Sequence, residues 1–483
     1  MQVNGGAGGG RLLSGAEASR EVLGQLAAEL VRVVRKGEAG GLAAQAAVHA
    51  LAAVGCLLPE VVGGVASQLV GFVTDVLLPA PQLHLWPTQE GTEAGVAAGD
   101  EETSSNPLLL AKAAALRAVA RGLTPSVEAG PMPAATVEAV KQLGQVLERL
   151  LDVDAEQEVP GCSGEEERGM LRLAAARAVL KLSTRHDSAL PPSCYVATAL
   201  MLQDPVPEPR AVFGAKLRKH VSRLLTMGLV ASHAGAPRGG GWLPSKYAAM
   251  LALSGVTDAA VDPVELNKAS AARGLREFVV AKRIAANAAA QAAALQPEPL
   301  AGTRRKGAAG NGGNIQEQPE FMLPHLLYLL ALHPDCPDQD AVCGSQQQDS
   351  AGEAGAGDEA QALLAPFVAM LQALLEPLLL AAHAGGSGHT QAAALLPTLK
   401  RVLQSTKVTC LADEDSTAKM RLMCDLGSAV AAAIVTRENT GSPPPAAPPS
   451  QVAVVLPRSL FIMDHLAHAP KGVLGVEAVA GWH

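Results

Sequence analysis

The stretch Leu171–Thr184, LRLAAARAVLKLST, decides the fold class. Leu173, Ala176 and Leu180 recur at i, i+3 and i+7, the spacing that lines one face of a helix with 3.6 residues per turn. Arg177 and Lys181, four residues apart, form a separate wet stripe. Leu171, Val179 and Leu182 carry the apolar surface around the flank away from that stripe, so the dry arc is wider than a surface helix needs. A helix held between two neighbours in a stack has this pattern. Val212–Arg223, VFGAKLRKHVSR, repeats it, with Phe213, Leu217, Val221 and the following Leu224 on its dry side.

Outward from these two segments, helical periodicity covers 16–36, 42–58, 65–78, 107–122, 134–151, 167–185, 192–203, 208–227, 244–255, 263–294, 319–332, 360–384, 390–405 and 416–436. No alternating strand pattern separates them. The helices recur as pairs at a spacing of roughly 35 to 50 residues, within the range of HEAT and armadillo repeats. The predicted fold is therefore all-α, an α-solenoid with low-complexity insertions at about 91–105, 300–316 and 344–358. Residues 1–15 read as a disordered N-terminus, 16–437 as the array, and 438–483 as a Pro-rich segment and tail. Leu173, Leu180, Phe213 and Leu217 are its expected inter-repeat packing residues.

The composition agrees with close helix packing. Hydrophobic residues make up 48% of the chain but aromatics only 2%, so the core has to be built from Ala, Leu and Val. A formal net charge of −8 argues against binding nucleic acid through overall charge, while local basic stripes stay open. Seven scattered cysteines, an odd number without a secretory leader, fit free thiols in a reducing compartment. No uninterrupted apolar run has the length of a spanning helix, so a soluble chain without membrane contact is expected.

Leu202–Leu217, LQDPVPEPRAVFGAKL, has the shape of a repeat junction: a proline-bearing turn opened by Asp204 leads into a helix carrying Arg210. Asp204 is expected to tie up free amides of the turn, and Arg210 to reach an acidic partner in an adjacent repeat. Lys216, Lys219 and Arg223 lie at i, i+3 and i+7 opposite the dry stripe, and Arg273, Arg276, Lys282 and Arg283 make a second basic cluster. Each reads either as a solvated face or as a contact for an acidic peptide, phosphate groups or DNA. Lys216, Lys219, Arg223, Arg273 and Arg276 are the candidate binding residues. Arg304–Lys306 is a short basic run of the kind found in nuclear-import signals.

Catalytic and cofactor chemistry finds little support. Cys336 and Cys343, near His325 and His333, match no zinc spacing. Gly385–His389, GGSGH, lacks the strand, turn and helix of a nucleophile elbow, and there is no phosphate-binding glycine loop. No catalytic residue, metal or cofactor is assigned.

Several blocks, in order, resemble the precocious-dissociation-of-sisters family, HEAT-repeat regulators of the cohesin ring. They are GGLAAQAAVHA (Gly40–Ala50), LRLAAARAVLKLS from Leu171, VFGAKLRKHVSRL from Val212, and LPSKYAAMLALSGVTD (Leu243–Asp258). PEFMLPHLLYLLALHPD (Pro319–Asp335), KMRLMCDLGSAV from Lys419 and VLPRSLF ending at Phe461 complete the set. The resemblance is confined to the later half of that family's array, without its earlier repeats and long charged tail. It implies a non-enzymatic nuclear scaffold that associates with cohesin, especially the kleisin subunit, and regulates sister-chromatid cohesion through the cell cycle. Cohesin release and establishment factors are further implied partners, and chromatin association is implied to be indirect. In the family the docking surfaces for the release factor lie in earlier repeats, so that activity is carried onto no residue here. The competing expectation is a helical-repeat adaptor unrelated to cohesin, of phosphatase-scaffold or transport type.

Overall fold

The computed structural model describes residues 15–36, 42–57, 66–80, 107–124, 134–153, 164–234, 243–255, 263–294, 318–339, 356–380 and 388–438, with Pro160, Cys162, Val342, Leu456, Leu460 and Phe461. The insertions at 91–105 and 300–316, the run Arg304–Lys306 and nearly all of 1–15 lie outside them. The fold is all-α and helical-repeat in character, with no strand among the described residues. It divides into two compact units, 1–190 and 191–483.

In the first unit α1 (Gly15–Lys36) packs on α2 (Leu42–Leu57). α2, α4 (Pro107–Gly122) and α6 (Glu165–His186) lie side by side as one layer. α3 (Ala66–Gly71) packs on α5 (Ala134–Leu151), and α5 on α6, as the opposing layer. α6 is dry nearly all round: Leu171, Leu173, Ala176, Val179, Leu180 and Leu182 are all buried, as the broad apolar arc predicts. Three glutamates, Glu165 to Glu167, open this helix and Arg185 stands in its last turn, which sets charge against both ends of the helix dipole.

After Gly71 the chain widens into a π-helical turn, Phe72–Leu77, where the Leu78 amide reaches back to the Val73 carbonyl at 2.9 Å. The turn ends with the Leu78 carbonyl outside the helical ladder, and a side chain uses it. Lys112, fully buried in α4, donates from Nζ to that carbonyl at 2.7 Å and to the carbonyl of Pro160. Burial pulls the Lys112 ammonium below its usual range, opposed by the nearby Cys162 thiol. At the other end of the layer His186 Nε2 meets the Leu123 carbonyl at 2.8 Å. Lys112 thus ties α4 to the segments that precede α4 and α6, and His186 ties the C-terminal ends of the two helices together.

In the second unit α7 (Pro192–Leu200) tightens into a 3-10 turn, Met201–Gln203, and α8 (Pro207–Ala234) follows. An eleven-residue 3-10 segment, Ser245–Gly255, is buried from Tyr247 onward and packs against α8, α9 (Pro263–Ala294), α10 (Met322–Ala331) and α11 (Ala356–Leu380). Small residues let it run through this crowded centre. A Cβ on Gly255 would stand 3.3 Å from the Ala369 carbonyl oxygen of α11. α11 begins inside the stretch 344–358 that the sequence reads as an insertion. Its Gln361–Leu380 portion is apolar and long enough to cross a membrane by composition, yet here it packs against α9, α13 (Glu414–Glu438) and α12 (Gly388–Lys407) as a core helix. Leu456, Leu460 and Phe461 are buried, with the Phe461 ring edge-on to Tyr328 at 5.9 Å, so the tail beyond 438 contributes to the core.

Candidate functional site

At the junction ahead of α8 the structure shows the expected turn but, among the described residues, not the expected acidic partner of Arg210. Asp204 is buried, and its Oδ1 accepts the Val206 amide at 2.9 Å, closing a turn in which Pro205 and Pro207 fix the backbone. Pro207 stands first in α8, where a missing N–H costs nothing. Arg210 is half-buried, and no acidic side chain meets it among the described residues. Phe213, Leu217 and Val221 are fully buried on one side of α8, while Lys216, Lys219 and Arg223 are exposed on the other.

α8 packs lengthwise on α9, whose Leu275, Phe278 and Val279 are buried and whose Lys268, Arg273 and Arg276 are exposed. The stem of Arg218 lies across Gly274, with its Cγ 3.8 Å from where a Cβ would stand. This places residue 218 of α8 against residue 274 of α9, so the two basic rows adjoin. Arg218 itself is half-buried, and burial lowers its pKa. The sequence reading missed it. Its contact is with a neighbouring helix, which no local spacing reports.

One member of the second cluster does not belong to this surface. Arg283 is buried, donating to Glu320 Oε1 at 3.2 Å and to the carbonyl of Leu378 in α11. Lys282 is half-buried with its Nζ over the Phe278 ring at 5.7 Å. α9 is 32 residues long, and the face that is wet at Arg273 and Arg276 dips under the short 3-10 turn Pro319–Phe321 and α11 two turns later. Equal spacing along a helix does not guarantee equal exposure along it.

His325 and His333, both ahead of Cys336 in the chain, pack among neighbouring side chains. His333 Nδ1 accepts the Asp335 amide at 3.1 Å, so Nε2 carries the proton and donates to Gln203 Oε1 at 2.5 Å. Gln203 in turn donates to the Leu253 carbonyl at 3.3 Å, and the His333 ring stands edge-on to Phe367. Burial, partly offset by Asp335, holds the His333 pKa down. His325 lies by Tyr195, which also packs edge-on to Tyr247 and sits beneath the Lys246 ammonium. Burial first, then the Lys246 charge, lowers the His325 pKa to about 3, and its Nδ1 is buried without a partner among the described residues. Burial raises the Cys336 thiol to about 12. Cys343 and most of Gly385–His389 lie outside the described residues. No group of three potential metal ligands forms among the described ones.

His325 makes stability pH-dependent with a definite sign. In the unfolded chain it takes a proton near pH 6.5, but in the fold only near 3, so stability is lost as pH falls between these values. The slope reaches about 1.4 kcal/mol per pH unit. Urea unfolding of the wild type at pH 7.5 and 5.0 is expected to show this loss, and His325→Leu to show a smaller one. An equal drop in both would contradict the assignment.

Fold and surface together define an all-α helical-repeat protein with exposed basic side chains on α8 and α9. The chain matches the family described as sister chromatid cohesion protein PDS5 over residues 11–462. It belongs to that family and is a regulator of sister-chromatid cohesion. Membership sets aside an adaptor unrelated to cohesion. No curated protein matches the chain.

Proposed function

We propose that this chain is a non-catalytic scaffold that associates with the cohesin ring in the nucleus and regulates sister-chromatid cohesion. Its cohesin contact is an extended segment of the kleisin subunit, laid along the basic surface of α8 and α9. Cohesin release and establishment factors compete for or add to that assembly, and chromatin is reached through the ring. Membership of the cohesion family carries this reading. The adjoining rows Lys216, Lys219, Arg223 and Arg273, Arg276, joined through Arg218, are what supports the choice of surface. Binding of this kind uses charge to steer and orient and needs no bond making.

The test is pull-down of purified kleisin by the purified chain at low salt. Lys216→Glu, Lys219→Glu and Arg223→Glu together are expected to abolish capture while helicity is unchanged. Undiminished capture identifies α8's basic edge as a solvated face.

A further inference from the structure

The first unit carries a second arginine array. α4 and α6 lie side by side and are joined at their C-terminal ends by His186 with Leu123. In this register Arg117 of α4 stands next to Arg177 of α6. The positive charge of Arg117 is felt at Arg177, whose pKa is lowered chiefly by burial and then by that neighbour. One turn further come Arg121 and Lys181, and one turn beyond them Arg185. Like charges at this spacing oppose one another.

The array has the features of a ligand surface. Arg117 is exposed, and its Nε is engaged by the Ala113 carbonyl of its own helix at 3.1 Å, which turns the outer guanidinium edge outward. The Nε atoms of Arg177 and Arg185 are buried and meet no acceptor among the described residues. Dipole compensation at a helix C-terminus accounts for Arg185 but not for Arg117 or Arg177, which stand well inside their helices. α4 contains no acidic residue, and those of α6 lie at its start, where Glu165 is already paired with Arg168 and Arg172.

We propose that Arg117, Arg177 and Arg185 form a docking ridge for a short acidic peptide segment of a partner protein. Eight residues of helix separate Arg177 from Arg185, about 12 Å, which matches about four residues of extended peptide. Two or three carboxylates of such a segment meet guanidinium groups, whose planar forks accept carboxylates two bonds at a time. A short segment fits better than a long polyanion. Glu165 to Glu167 bound the ridge at one end and Asp187 at the other, within a chain of net charge −8, so a nucleic acid running past the ridge meets like charge. The ridge belongs to the first unit and the α8 and α9 rows to the second, and the proposal does not depend on the reading given to those rows.

The full chain is titrated against a fluorescein-labelled peptide, Gly-Ser-Glu-Asp-Glu-Asp-Ser-Gly, and fluorescence anisotropy is read. A peptide with Gln and Asn in place of the acids and a labelled 12-base-pair DNA duplex serve as comparisons. The acidic peptide is expected to bind and the amide peptide not. Joint Arg117→Gln, Arg177→Gln and Arg185→Gln is expected to weaken binding on the order of thirtyfold with unchanged helicity. The α8 triple variant is expected to retain the binding that the ridge triple variant loses. Should the ridge triple variant fail to fold, Arg117→Gln alone, at an exposed position, is expected to cost about threefold. The proposal is overturned by absence of acidic-peptide binding, by unchanged affinity in the variant that folds, or by tighter binding of the duplex lost in that same variant.

Discussion

Leu180→Asp is expected to unfold the first unit, at a cost on the order of 5 kcal/mol. Leu180 is buried on α6, the helix that packs against both α4 and α5, and Val179 and Leu182 beside it are equally dry. Removing a buried leucine side chain alone costs about 2–5 kcal/mol, and an unpaired carboxylate in its place adds a desolvation penalty. A repeat fold passes such damage to its neighbours, because each helix buries its apolar face only against the next. Limited proteolysis and thermal melting of the full chain check this. The expected result is rapid cleavage within 1–190 and loss of its share of the melting transition. Wild-type resistance would mean that α6 is not the central helix of its unit.

Arg283→Ala is expected to destabilise the second unit by about 3–5 kcal/mol, because it leaves Glu320 buried and uncompensated and deprives the Leu378 carbonyl of its donor. The diagnostic comparison is the joint replacement Arg283→Met with Glu320→Leu. It removes both charges and is expected to recover most of the loss, since apolar groups of similar volume replace a buried ion pair at little cost. Urea midpoints of the single and joint variants decide the matter. A single variant as stable as the wild type would place Arg283 on the surface, with Arg273 and Arg276.

That last contrast shows where the sequence was readable and where it was not. The breadth of the apolar arc on Leu171–Thr184 foretold a helix covered on several sides, and Phe213 and Leu217 are buried as their spacing requires. Asp204 was legible because its partner, the Val206 amide, is two residues away. Lys112 was not, since its acceptors lie 34 and 48 residues distant and a lysine in an Ala and Leu helix has the pattern of an ordinary surface cation. Arg283 misled for a related reason: helical spacing reports a face, while exposure depends on what crosses that face farther along. Ser245–Gly255 was readable as helical, but its 3-10 pitch follows from confinement among α8, α9, α10 and α11.

The two basic surfaces differ in kind. On α8 and α9 the cations are long, largely exposed side chains that suit steering and salt-sensitive capture. On α4 and α6 an exposed arginine, Arg117, stands with two half-sunk ones, Arg177 and Arg185, an arrangement that suits a short, defined sequence.

Affinity capture of the tagged chain from nuclear extract, at low and moderate salt, tests the central claim most directly. Recovery of cohesin ring subunits with the wild type, and their loss with the Lys216, Lys219 and Arg223 charge-reversal variant, is the predicted result. A folded, fully helical chain that retrieves no ring subunit at either salt would contradict it.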